Sequence, residues 1–325
     1  MNLQQLRYLR EVARNGLKVS EAAETLFTSQ PGISKQIRLL EEELGVTILV
    51  RHGKRITGIT EPGRIVIDIA ERILQDTDNL RAVGREFNSG GRGTLVIATT
   101  HTQARYALPP VVARFTQRYP QVRLTLREGS PEHIAELLRD GEADVGIATE
   151  SEEAFADLVT LPCAQWTRSV ITPLKHPLLG AGPLTLEKIA QYPLITYDFA
   201  FTPNSPIKRA FDAAGIKPNI VLTAVAADVI KAYVEQGMGI GILAKMAFDP
   251  ARDTGIRLIN ADHLFEASTT RIALRPNAWL RGYAYDFIEL FAPKLKRATV
   301  ESALKASAAN TLAAQAGLED AQPAV

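Results

Sequence analysis

The chain has 325 residues, 46% hydrophobic and 22% charged, with a net charge of +1. That length exceeds a single compact core and suits two or three globular domains, and the near-zero charge excludes a general polyanion binder. A lone cysteine, Cys163, excludes an intrachain disulfide, and the absence of a membrane-length apolar run or a signal-peptide core makes a cytoplasmic location the expectation.

Charge is uneven along the chain. Residues 1–60 hold nine Lys/Arg against six Asp/Glu, as a DNA-binding end attached to another body would. Leu3, Leu6, Leu9 and Val12 or Ala13 predict an amphipathic first helix. From Val19 to Leu44 the pattern predicts two short helices joined by a tight turn. Ala22, Ala23 and Leu26 share one face of the first, and Phe27-Thr28-Ser29 breaks the spacing. Ser29 can cap the second helix, with Pro31 in its first turn where a missing N–H costs nothing. Ile33, Ile37, Leu40 and Leu44 predict its buried face, and Ser29, Gln30, Pro31, Ser34, Lys35 and Arg38 lie on or beside the other. This is the pattern of a helix-turn-helix, whose second helix enters the DNA major groove. An ordinary helical hairpin with a solvated face is the alternative.

Gly45 should stop the second helix. Val46–Val50 reads as a strand, and Ile56 and Ile59 resume an extended pattern after Arg51-His52-Gly53-Lys54-Arg55. A hairpin tipped with cations is a wing, with Arg51, Lys54 and Arg55 expected at phosphates. Thr60-Glu61-Pro62-Gly63 opens a long helix to about Phe87, in which Ile65, Ile69, Ile73, Leu80, Val83 and Phe87 keep helical spacing. Pairing of that helix with its own copy is expected, placing two recognition helices on two half-sites. Ser89-Gly90-Gly91-Arg92-Gly93 is a linker.

Alternating strands and helices follow, which predicts an α/β body built on a parallel, doubly wound sheet in two similar lobes with a cleft between them. The expected divisions are a winged helix-turn-helix at 1–60, a dimerising linker helix at 61–88, lobe I at 93–163 and 268–300, lobe II at 164–267, and a tail at 301–325 with no assigned role. A helix is expected over Ala104–Tyr119, bent near Pro109-Pro110, and the chain is expected to cross between lobes near Cys163. Thr99-Thr100-His101-Thr102-Gln103 joins the first strand of this body to its first helix. Ligands bind beyond the carboxyl ends of such strands, and a helix N-terminus favours an anion. Thr149, Thr196 and Thr202 lie at or beyond two further strand ends, and Trp166 lies near the crossing. Helix capping is the plainer role for such hydroxyls.

Other features point to no chemistry. His101 has no nucleophile beside it, and His52, His133, His176 and His263 lack metal-ligand spacing. Gly237-Met238-Gly239-Ile240-Gly241 leads from helix to strand, the wrong order for a phosphate loop.

The stretch LRYLREVARNGLKVSEAAETLFTSQPGISKQIRLLEEELGVTILVR, with TEPGR after the wing, resembles the LysR-type transcriptional regulators. FTSQPGISKQ together with ATTHTQARYALP is similar to the CysB and Cbl subgroup, which controls sulfur-assimilation genes. Across residues 1–295 the resemblance implies a two-lobed periplasmic-binding-protein-like effector domain behind the DNA-binding domain. It also implies a homotetramer built as a dimer of dimers on promoter DNA, with RNA polymerase a further partner. No cofactor is implied; the effector would be sulfate, an acetylserine or a related sulfur anion. By motif match Thr100, Thr102, Gln103, Thr149 and Thr202 would be ligand residues. The function expected is therefore a ligand-responsive DNA-binding regulator of sulfur-metabolism genes; the alternatives are a sulfonate-use regulator responding to adenylyl sulfate or sulfate and, behind it, a small-anion enzyme carrying an accessory DNA-binding domain.

Overall fold

The computed structural model describes residues 1–53, 55–88, 92–149, 153–202 and 205–316. Lys54, the start of the linker at Ser89–Gly91, and the end of the tail therefore lie outside the described residues. Two compact units divide at Asn88 and Ser89.

In the first unit, α1 (Leu3–Arg14) starts from a capping box in which Asn2 and Gln5 satisfy each other's backbone N–H. Helix α2 (Val19–Thr25) and helix α3 (Gln30–Leu44) follow. Ser29 caps α3 by accepting the Gly32 N–H, and Gly45 closes it in the left-handed region at φ +69°. Leu9, Val12, Ile33, Ile37 and Leu40 are fully or almost fully buried together. Leu44 departs from the expected buried row: as the last residue before the glycine cap it is 39% exposed.

The wing is shorter than the apolar run implied. Strand β1 is Leu49–His52 and pairs antiparallel with β2 (Arg55–Ile59). Ile48 and Leu49 instead send their N–H groups to the Glu41 carboxylate, at 2.8 and 3.0 Å. Helix α4 (Glu61–Asn88) starts where Thr60 Oγ1 accepts the Gly63 N–H. Gly63 is required there by space, since a Cβ would stand 2.2 Å from the Ile48 carbonyl oxygen. One face of α4, with Ile67, Ala70 and Leu74, packs into this unit's core; Ile65, Ile69 and Leu80 remain exposed.

The second unit holds two five-stranded sheets, each with its own core. Strands β3 (Gly93–Thr99), β4 (Val122–Glu128), β5 (Val145–Thr149), β6 (Val159–Trp166) and β12 (Ser268–Leu274) lie in the order β4-β3-β5-β12-β6. Strands β7 (Arg168–Pro173), β8 (Leu194–Tyr197), β9 (Ile220–Ala224), β10 (Ile240–Ala244) and β11 (Ile256–Asn260) lie in the order β11-β7-β10-β8-β9. Helices α5 (Pro109–Arg118), α6 (Pro131–Arg139) and α10 (Gly282–Phe291) belong to the first lobe. Helices α7 (Leu186–Ala190), α8 (Pro206–Ala213) and α9 (Ala227–Glu235) belong to the second.

Neither sheet is wholly parallel. β12 runs antiparallel to β5 and β6, and β7 antiparallel to β10 and β11. The reason is the crossing: chain that leaves one lobe and returns to it re-enters against the direction of the strands already there. The first crossing falls at Thr167, between β6 and β7, and Cys163 lies inside β6. The expected helix from Ala104 is two pieces. A π-helical turn, Gln103–Ala107, ends in a Leu108 N–H to Gln103 carbonyl bond of 2.9 Å, and α5 begins afresh at Pro109. Two successive prolines have no N–H to continue the first piece. The tail also has a structural part, because α11 (Arg297–Ala316) buries Val300 and Leu304 in the first lobe's core.

Candidate DNA-binding face and effector site

Helix α3 buries Ile33, Ile37 and Leu40. That leaves Gln30, Ser34 and Arg38 four residues apart on its other side, with Lys35 beside them. Phe27, Gln30, Ser34, Lys35 and Arg38 line one open cleft against α2. Ser29, Gln30, Pro31, Lys35 and Arg38 are exposed and Ser34 is half-buried. Hydrogen-bonding and cationic groups thus share one solvent face on a helix whose other side is fixed by the core.

The wing's cations divide. Arg51 turns back onto Glu41, with Nη2 at 2.8 Å from the carboxylate. Burial alone would raise the Glu41 pKa, but Arg51 and the Leu49 and Ile48 N–H groups outweigh it and hold the carboxyl below its ordinary value. Arg51 therefore braces the wing from inside. Arg55 is exposed at the start of β2.

In the two-lobed body, the loop after β3 carries the sequence-flagged groups. Thr99 is buried and donates to the Ile147 carbonyl at 2.9 Å. Thr100 and Thr102 are half-buried, and the helical turn starting at His101 lies between them and the π-helical piece. Gln103 is 2% exposed, and its Nε2 donates to Thr270 Oγ1 at 2.9 Å. Thr270 stands 3.4 Å from Thr149 Oγ1, and the Trp166 indole N–H donates to that same Thr149 oxygen at 3.3 Å. The Arg168 guanidinium lies over the Trp166 ring at 4.7 Å and donates to the Glu266 carbonyl. Gln103, Thr149 and Trp166 are thus joined at neighbouring strand ends, through a residue that sequence reasoning missed. Thr270 gave no signal beyond the Ser268-Thr269-Thr270 run, and its strand, β12, is far along the chain from the others.

Across the lobe boundary, Thr102 lies near the buried Tyr197 phenol, whose pKa burial pushes up to about 12. Tyr197 accepts the Ala244 N–H at 3.3 Å. His101 sits between Glu128 (2.7 Å) and Asp228 (3.3 Å), the latter at the start of α9 in the second lobe. The Tyr106 ring stands 5.2 Å from Lys231 Nζ in the same helix. Four residues of one segment, His101, Thr102, Arg105 and Tyr106, therefore face the second lobe, with Arg105 at 4.0 Å from Asp228. Thr202 stands apart: it is exposed, and its hydroxyl donates to the Phe199 carbonyl within its own loop. Pro203 and Asn204 after it lie outside the described residues.

These donors are neutral hydroxyls, an amide and an indole at strand ends, a set whose chemistry suits hydrogen bonding to an anion. They do not make a catalytic centre. Cys163 donates its thiol to the Thr270 carbonyl at 3.1 Å, and burial pushes its pKa up to about 11, far from the thiolate a nucleophile needs. Among the described residues there is no cluster of side chains able to hold a metal ion, and no helix long and apolar enough to cross a membrane.

A winged helix-turn-helix followed by a two-lobed body with a polar seam is the architecture of an effector-responsive transcription factor. The chain belongs to the LysR family of transcriptional regulators, and so is a DNA-binding regulator and not an enzyme. Residues 3–64 match the bacterial regulatory helix-turn-helix protein, lysR family, and residues 88–296 the LysR substrate binding domain. It is 55% identical to the HTH-type transcriptional regulator SsuR of Burkholderia cenocepacia, over 94% of this chain and 99% of that one. It is 50% identical to CysB of the same organism, over 95% and 98%. The crystal structure of the cofactor-binding domain of the Cbl transcriptional regulator is similar to it, with a TM-score of 0.62 and 42% identity over 66% of this chain and 93% of that one.

Proposed function

We propose that this regulator controls genes of sulfur assimilation, and that a small sulfur-pathway anion bound between its lobes sets its affinity for promoter DNA. Sulfate, acetylserine and adenylyl sulfate are the candidate effectors. The observation that carries the reading is the continuous polar chain Gln103–Thr270–Thr149–Trp166, set beside the His101–Asp228 contact that crosses the lobe boundary. An anion taking hydrogen bonds from Thr100, Thr102, Gln103, Thr149 and Trp166, with Thr202 swinging in from its loop, would change how the lobes meet. The effector acts to the extent that it binds one arrangement more tightly than the other.

At the DNA, Ser29, Gln30, Pro31, Ser34, Lys35 and Arg38 would meet the groove, with Lys54 and Arg55 at phosphates. Arg51 would hold the wing in place for them. The exposed row Ile65, Ile69 and Leu80 on α4 supports pairing with a second copy, and a dimer of dimers would follow from further contacts between effector bodies.

A thermal-shift screen of the full chain against sulfate, thiosulfate, acetylserine and adenylyl sulfate tests the effector. One of them should raise Tm in wild type and have no effect on Thr102→Ala. Stabilisation equal in both proteins, or by none of the four, would sink the assignment.

A further inference from the structure

We propose that Phe27 is a specificity residue that reads thymine, laying its ring on the 5-methyl group of a thymine in the major groove beside the bases met by Gln30 and Ser34. The proposal rests on the reading of α3 as the groove helix and deepens it.

Phe27 follows the last turn of α2. The Thr28 N–H reaches back to the Ala23 carbonyl at 2.9 Å and the Phe27 N–H to the Glu24 carbonyl at 3.2 Å. This pair of bonds is the Schellman closure, and Phe27 holds its left-handed position at φ +50°. Glycine is the residue that such a position favours, and any side chain is strained there. An aromatic side chain could offset that strain by burial, but the Phe27 ring is 99% exposed. Backbone and solvent thus both disfavour this side chain in the isolated chain, and it packs on nothing within it.

Its surroundings name the partner. Phe27 lines the same cleft as Gln30, Ser34, Lys35 and Arg38. A protein partner would be met by a contiguous apolar patch. The cleft also holds Glu24, Glu42 and the partly exposed Leu39, but the side chains on the α3 side of the ring are the hydrogen-bonding and cationic Ser29, Gln30, Ser34, Lys35 and Arg38, the set that suits a phosphate-lined groove. The apolar feature such a groove presents to a side chain is the thymine methyl.

The test starts from duplexes that the full-length wild-type protein selects from a random-sequence pool. Each thymine is then replaced in turn by deoxyuridine, which removes the methyl and keeps every hydrogen-bonding group. Wild type should lose about fourfold in affinity at one thymine of each half-site, the value of one buried carbon group. Phe27→Gly should melt higher than wild type, bind the selected duplex more weakly, and be indifferent to that replacement. Phe27→Leu should keep part of the sensitivity. A wild type indifferent to every replacement would overturn the proposal. So would a Phe27→Gly protein that binds as tightly as wild type or keeps the same thymine dependence. Should wild type select no sequence at all, the groove-helix reading itself fails, an outcome distinct from normal selection without a methyl effect.

Discussion

The two functional regions solve opposite problems with polar residues. On α3 the groups that would meet DNA are exposed, and a buried row on the same helix fixes their direction. In the effector body the corresponding groups are partly or wholly buried and hold one another: Gln103 is 2% exposed and Thr270 1%. An exposed polar face costs the free protein little and waits for its partner to be desolvated. A buried polar chain must be satisfied in every state, so a ligand enters it only by replacing bonds already made. That is why the second region, and not the first, is suited to switching.

The sharpest way to break this comparison is to damage one region and read the other. Gly63→Ala would drive a Cβ onto the Ile48 carbonyl at the wing–helix junction, at a cost of about 3 kcal/mol. Melting of the first unit should fall and DNA binding be lost, while effector-induced stabilisation of the second unit survives; loss of both would show that the two are not separable. Next in size is Gln103→Leu. It leaves Thr270 without its amide donor inside the polar chain, which should cost about 2 kcal/mol and abolish the effector's thermal shift. An unchanged Tm would mean that the chain is looser than its distances imply.

Glu41 gives a smaller effect with a definite sign. Its carboxyl titrates below its ordinary value in the folded state, so its stabilisation is present above the unfolded value of 4.5 and fades as pH falls from there through the lowered folded value. The first unit should therefore lose stability in that acid window. Glu41→Gln should cost about 1 kcal/mol at neutral pH and flatten the acid dependence. If DNA binding by Glu41→Gln also weakens although no cation has been removed, Arg51 acts by bracing the wing.

The same contrast explains what the sequence could reveal. The α3 face was legible because its residues lie within one helix, where spacing alone separates Ile33, Ile37 and Leu40 from Gln30, Ser34 and Arg38. Residues contributed from afar were not. Thr270 joins Gln103 across 167 positions and Thr149 across 121, and no periodicity encodes such a meeting. The antiparallel direction of β7 and β12 was missed because strand direction depends on where the chain crosses between lobes, not on local composition. The Arg51–Glu41 pair was not legible because Glu41 reads as one acid in a run of three, and the inward turn of Arg51 depends on β1 starting at Leu49.

Thr202 offers the finest test, because its position in the comparison is ambiguous. It carries the same hydroxyl as Thr102 and Thr149, yet it is exposed and satisfied within its own loop. Thr202→Ala should therefore change stability by less than about 0.5 kcal/mol in the absence of effector. Thr202→Val keeps the shape and removes the hydroxyl. If the loop swings onto the effector, both variants should bind it about tenfold more weakly, as the loss of one hydrogen bond to a charged group implies. Equal weakening in both would place Thr202 with the buried switching groups through the hydroxyl itself. Full affinity in both would leave it as a loop cap and confine the effector's contacts to the seam around Thr102, Gln103 and Thr149.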